Sequence, residues 1–165
     1  MLIRITQKLS KKLKTGTLPE IPDDPGPFLE WYANLFTADR LQYILTTEAK
    51  SLFSVVLYGR GITDDSRFIE HWLPFIREYF LSNGKRFAFE RIIVPNTSQF
   101  QFSKTQSRSI LGSMNDMVDM AKTMISLRDM SLWEVSDMIN ETPFSALEGQ
   151  CPLDALDHLK FIKPV

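Results

Sequence analysis

Three runs of β-branched, aromatic and apolar residues follow one another closely: Trp31–Phe36, Leu41–Thr46 and Leu52–Tyr58. Such residues suit a pleated, half-buried surface. The tetrapeptides between them, Thr37-Ala38-Asp39-Arg40 and Thr47-Glu48-Ala49-Lys50, are turn-like and of hairpin length. Links that short join antiparallel neighbours, so the pattern predicts a β-meander. The third run, Leu52-Phe53-Ser54-Val55-Val56-Leu57-Tyr58, is nearly all apolar, which predicts a central strand with both faces covered. Leu2–Ile5 reads as a further short strand, and Gln99–Ser103 alternates Phe100 and Phe102 with polar residues as a half-buried strand does. The expected fold is a single α+β domain, an antiparallel meander of about four to five strands with helices packed mainly on one face. A chain of 165 residues is long enough to bury one real core.

Helical segments are marked by their caps. Thr6 can cap a helix over about Gln7–Lys14 with Leu9 and Leu13 turned inward. Gly16 ends it, and Pro19, Pro22, Pro25 and Pro27 with Asp23 and Asp24 make residues 14–27 a stiff acidic loop. Gly59-Arg60-Gly61-Ile62-Thr63-Asp64-Asp65 leads from a strand to a helix start and invites a phosphate-loop reading. That reading is rejected: the third glycine and the phosphate lysine are missing, and the two aspartates suit helix capping. The helix carries Phe68, Ile69, Trp72, Leu73, Ile76, Tyr79 and Phe80 inward, stops at Asn83-Gly84, and is kinked or divided by Pro74. Residues 85–94 fit either a strand or a helix. Ser131 with Glu134 forms a capping box for a helix that ends at Asn140-Glu141-Thr142-Pro143. Leu153, Leu156 and Leu159 suggest a last short helix within a C-terminal extension, 144–165.

The densest polar group in the chain lies where the strand near residue 100 runs into a long helix. Ile110, Leu111, Met114, Met117, Val118, Ala121, Met124 and Ile125 form an apolar stripe at helical spacing. Another face reads Ser109, Gly112, Ser113 and Asp116. Glycine inside a helix costs about 1 kcal/mol relative to alanine, so Gly112 implies that something approaches that face, either a strand of the same chain or a ligand. Lys104 and Arg108 flank the first helical turn, where the helix dipole disfavours cations. An anion or a partner's carboxylate held there by these cations, the hydroxyls of Thr105, Ser107 and Ser109, and free backbone N–H groups would account for the placement. The plainer reading is that Thr105 or Ser107 is an N-cap and the cations pair with surface acids.

Other chemistry finds little support. His71 and His158 stand alone, without metal-ligand spacing, so no metal site and no cofactor are expected. Cys151, the one cysteine, has no recognisable catalytic partner, excludes an internal disulfide, and fits a reducing cytoplasm. Asp64, Asp65, Asp116 and Asp119 can be read as paired carboxylates, though helix starts and solvent faces also collect acids. Lys8, Lys11, Lys12 and Lys14 make the first helix the most basic piece, while the net charge of −1 argues against a generally basic nucleic-acid binder. No apolar run approaches the roughly 20 residues of a bilayer span.

Several blocks resemble a known family as a set. They are Thr6-Gln7-Lys8-Leu9, Trp31-Tyr32-Ala33-Asn34-Leu35-Phe36-Thr37-Ala38-Asp39-Arg40, and Leu57-Tyr58-Gly59-Arg60-Gly61-Ile62-Thr63-Asp64-Asp65. Phe102-Ser103-Lys104-Thr105, Arg108-Ser109, Gly112-Ser113-Met114-Asn115-Asp116 and Asn140-Glu141-Thr142-Pro143 complete them. The chain, from its start to about residue 145, resembles a bacterial family known only as a domain of unknown function. The resemblance implies a bacterial or mobile-element origin and a single domain, and carries no activity, cofactor or catalytic residue. Relatives often have histidine where this chain has Tyr32, a departure that bears on any mechanism resting on that histidine.

The leading expectation is a cytoplasmic, non-enzymatic binding or interaction module for a protein or anionic ligand. Its candidate site comprises Lys104, Thr105, Arg108, Ser109, Gly112, Asn115 and Asp116, with Asn34 and Arg40 from the second block. The alternative is nucleic-acid or nucleotide binding through Lys8, Lys11, Lys12, Arg40, Lys104 and Arg108. A hydrolase or transferase using Asp116 with Asn115 ranks last, because no second chemical partner can be named.

Overall fold

The computed structural model describes residues 1–160. β1 (Leu2–Ile5) runs into α1 (Gln7–Leu13), whose cap is Thr6: its hydroxyl accepts from the Leu9 amide at 3.4 Å. β2 (Glu30–Ala38), β3 (Leu41–Glu48) and β4 (Ser54–Tyr58) form the expected antiparallel meander. The first hairpin turn is tighter than the sequence suggests. Asp39 and Arg40 both take positive φ, 46° and 66°, the signs a two-residue type I′ turn demands. α2 (Asp65–Ser82) follows, capped by Asp64 and broken after Asn83 at Gly84, as expected.

The ambiguous stretch is helical: α3 (Arg86–Ala88) continues into a π-type turn, Phe89–Ile93, and a short 3₁₀ turn, Val94–Asn96. Then come β5 (Gln101–Lys104), α4 (Arg108–Arg128), α5 (Leu132–Asn140) and α6 (Pro152–His158). Among the described residues, no helix is long and apolar enough to cross a membrane.

The strand order is β4-β3-β2-β1-β5. β1 lies parallel to both β2 and β5, so the meander is extended at one side by parallel pairing. Single-sheet α+β architecture and strand number agree with expectation; two details do not. Helices cover both faces rather than mainly one. Ile3, Trp31, Leu35, Ile44 and Val55 pack under α2, whereas Tyr32, Phe36, Tyr43, Leu45 and Val56 pack under α4 and α5. Because alternate strand residues point to opposite faces, apolar side chains in both registers of β2 and β3 require a cover on each side.

β4 is also an edge strand, not a central one. Val55 and Val56 are nonetheless fully buried. The outer edge of β4 is closed by α5: the Ser54 amide donates to Asn140 Oδ1 at 2.8 Å, Asn140 Nδ2 donates to the Ser54 carbonyl at 2.7 Å, and the Val56 amide donates to Ser136 Oγ at 3.0 Å. An exposed strand edge is a template for unwanted pairing, and here helix side chains occupy it.

The proline-rich segment is tied down over β1 and β5. Arg4, buried within β1, makes an ion pair with Glu30 and donates to the Ile21 carbonyl at 2.7 Å and the Asp23 carbonyl at 3.1 Å. Ser103 Oγ donates to the Pro19 carbonyl at 3.0 Å and accepts from the Ile21 amide at 3.2 Å. Residues 144–158 also join the core, Phe144 on the α4 side and Leu156 on the α2 side.

Candidate functional site

α4 starts beside the sheet because its first residues are fixed from two directions. Ser107 is the N-cap, its hydroxyl accepting from the Ile110 amide at 3.2 Å, and the Ser107 amide itself donates to the Tyr32 hydroxyl at 3.3 Å. Burial pushes the Tyr32 phenol above its ordinary range, and the Ser107 N–H partly offsets this. The buried face of α4, including Met114, Met117, Val118, Ala121 and Met124, then fixes the rotation of the helix on the sheet. Arg108, Ser109, Gly112 and Asp116 are left exposed on another face.

These residues line one open depression of about 430 Å³ together with Ser113, Ser145 and Ala146. At 1.5 Å rise per residue, Arg108 and Asp116 lie roughly 12 Å apart along the axis, so the depression is elongated, with a guanidinium near one end and a carboxylate near the other. Its middle is bare. A Cβ at Gly112 would meet no heavy atom within 4 Å, so no strand of this chain approaches the glycine. Among the described residues Arg108 has no acidic partner at ion-pair distance.

The rest of the candidate set is dispersed. Lys104 ends β5 and pairs with Glu20 at 3.3 Å. With Thr105 it lines a separate cleft of about 390 Å³ against α1, where Lys11, Gln7 and Ser10 form the opposite wall. Asn34 is half-buried and accepts from the Thr6 hydroxyl at 3.1 Å. Asn115 is exposed on α4 outside the depression, and Arg40 serves the hairpin turn at a positive φ of 66°. Of the basic residues, Lys12 donates to Gln42 at 2.7 Å.

The glycine loop after β4 has a structural explanation. A Cβ at Gly59 would lie 2.9 Å from the Gln42 carbonyl oxygen, the same oxygen that accepts from the Gly59 amide at 2.8 Å. Close backbone approach, not phosphate, requires glycine there. His71 and His158 are both exposed, and each places Nδ1 2.7 Å from a carbonyl of its own helix. No group of three or more His, Cys, Asp or Glu among the described residues could hold a metal ion. Sequence reasoning missed Ser145, which only the tertiary fold brings to α4. It also missed the Arg4–Glu30 pair, whose signal was a charged residue between Ile3 and Ile5.

The depression therefore offers hydroxyl donors from α4 and from Ser145, one cation and one carboxylate, a set suited to holding a polar ligand. A family model described as Domain of unknown function (DUF6933) matches residues 2–155. The chain belongs to this family. No curated protein and no solved structure matches it. For this DUF6933 member, the reading of the site rests on its own geometry.

Proposed function

We propose that this DUF6933 protein is a bacterial, cytoplasmic, non-enzymatic binding module that seats an anion-bearing ligand or partner segment along the first turns of α4. The observation that supports this is the convergence of Arg108, Ser109, Gly112, Ser113 and Asp116 on one open depression whose centre is an uncovered glycine. Arg108 supplies a planar guanidinium able to grip a carboxylate or phosphate with paired hydrogen bonds. The serine hydroxyls add directional donors, and Asp116 selects against a second anion at the far end. The single cysteine fits a reducing compartment.

Inorganic phosphate is a minimal probe. In an amide-resolved NMR titration, phosphate should shift Arg108, Ser109 and Gly112 in a saturable way. Arg108→Ala should abolish those shifts while changing stability by only about 0–1 kcal/mol, as for other exposed charges. A large loss of stability with no phosphate response in the parent protein would mean that Arg108 serves the fold instead.

A further inference from the structure

The two outer edges of the sheet are finished differently. At β4, side chains of α5 bond the outward backbone groups of Ser54 and Val56. β5 is the opposite edge, and its pairing with β1 assigns its backbone groups by alternation. The Gln101 amide donates to the Met1 carbonyl at 2.9 Å, so Gln101 and, two residues on, Ser103 direct N–H and C=O toward β1. Phe102 and Lys104 therefore direct theirs outward. Lys104 bears this out, since its amide donates to the Pro19 carbonyl of the proline-rich segment at 3.0 Å.

The cover ends there. Neither the N–H nor the C=O of Phe102 has a hydrogen-bond partner among the described residues, and Phe102 is only part-buried. Unpaired backbone groups on a strand edge are a template for a further strand.

A cavity adjoins this edge. An opening of about 410 Å³ lies in the corner between α2 and β5. Ile69, Phe100 and Phe102 form its apolar wall, and Asp65, Glu70 and Thr97 add polar groups. The wall is braced from behind. Phe102 meets the buried Phe68 edge-on at 6.2 Å and 67°, and Phe100 meets the buried Trp72 at 6.3 Å and 86°.

The charge at the opening is negative. Asp65 and Glu70 are exposed, and neither has a cation at ion-pair distance among the described residues. Asp65 suits the start of α2, where the helix dipole favours an acid. Glu70, more than a turn further on, has no such reason to be there.

We infer that the free edge of β5 and this opening together form a docking site for an extended polypeptide segment carrying a lysine or arginine, added as a sixth strand beside β5. The segment's backbone bonds the N–H and C=O of Phe102, and its alternate side chains supply selectivity, the general logic of strand addition. A basic residue on the α2 face of the added strand lays its aliphatic stem on Ile69 and Phe102 and carries its charge to Glu70 and Asp65. The site lies on the α2 face of the sheet and does not depend on the depression along α4.

The test uses the full chain, amide-resolved NMR and hydrogen exchange, with the blocked pentapeptide Thr-Val-Lys-Val-Thr and the same peptide with glutamate at its centre. In the free protein the Phe102 amide should exchange faster than those of Gln101 and Ser103. The lysine peptide should give saturable shifts at Ile69, Glu70 and Phe102 and slow the exchange of Phe102. It should bind about two- to fivefold more tightly than the glutamate peptide, the scale of an exposed charge pair. Glu70→Lys should reverse that order, and Glu70→Gln, a milder change at the same exposed position, should narrow the gap. Protection of Phe102 that rises with protein concentration alone, with a dimer in sedimentation, would give the edge to a second copy and overturn the assignment. So would no saturable response to the lysine peptide, equal binding of the glutamate peptide, or binding that leaves Phe102 exchange unchanged.

Discussion

The two faces of the sheet are built from different materials. Under α2 the core is aromatic: Trp31 meets Trp72 edge-on at 5.2 Å and 78°, and Phe53 meets Phe80 at 5.3 Å and 82°. Trp72 also donates from its indole to Thr46 Oγ1 at 3.0 Å. Under α4 the buried side chains include Met114, Met117 and Met124, with polar ties such as Thr47 Oγ1 to Ser54 Oγ at 2.8 Å and Ser54 Oγ to Met117 Sδ at 3.2 Å. Aromatic pairs have preferred geometries and large buried areas, whereas methionine fills irregular space and adapts. The depression at Gly112, a groove of about 460 Å³ beside Met120 and Met138, and a cavity of about 290 Å³ between Tyr58 and Asp129 follow α4. The aromatic side carries the cleft against α1 and the opening of about 410 Å³ at Ile69 and Phe102. The aromatic face is thus held by pairs of fixed geometry, and the methionine face is packed by side chains that adapt.

If that division is right, the largest effect belongs to the aromatic side. Trp72→Ala should cost about 3–5 kcal/mol, the range for deleting a large buried ring, read from denaturant unfolding. A loss below 1 kcal/mol, on the same order-of-magnitude scale, would remove the distinction. Next comes the closure of the β4 edge. Asn140→Ala leaves the Ser54 amide and carbonyl without their side-chain partner and should destabilise by about 1–3 kcal/mol. The same variant should exchange the Ser54 amide hydrogen faster, which site-resolved hydrogen exchange would detect. Unchanged exchange would show that the edge is closed by something else. Smaller still is Met117→Leu, a volume-conserving change expected to cost less than about 1.5 kcal/mol. A greater cost would mean that the methionine face is as exacting as the aromatic one.

The sequence made local features readable because they depend on neighbours in the chain. Thr6, Asp64 and the Ser131–Glu134 box cap the helices they precede, and Leu9 and Leu13 point inward. The edge position of β4 was not readable. A strand apolar on both faces looks the same at the centre of a sheet as at an edge closed by a helix, and the closing side chain of Asn140 lies 86 positions from Ser54. The proline-rich loop was recognisable as irregular, yet its anchoring depends on Arg4 and Ser103 from separate strands. The candidate site divides in the same way. Arg108, Gly112 and Asp116 share a face through helical spacing alone, while Asn34 and Arg40 depend on strand register and turn geometry that place them elsewhere.

The claim that the exposed face of α4 serves a ligand rather than the fold is tested most directly at Gly112. No atom of the chain would obstruct a Cβ there, and replacing helical glycine recovers up to about 1 kcal/mol of propensity. Helical side chains lean toward the N-terminus, so a leucine would lie over the turn carrying Arg108 and Ser109. For Gly112→Leu, the account predicts stability equal to or above that of the parent in denaturant unfolding, together with loss of the phosphate-induced amide shifts. Reduced stability with the phosphate response intact would contradict it.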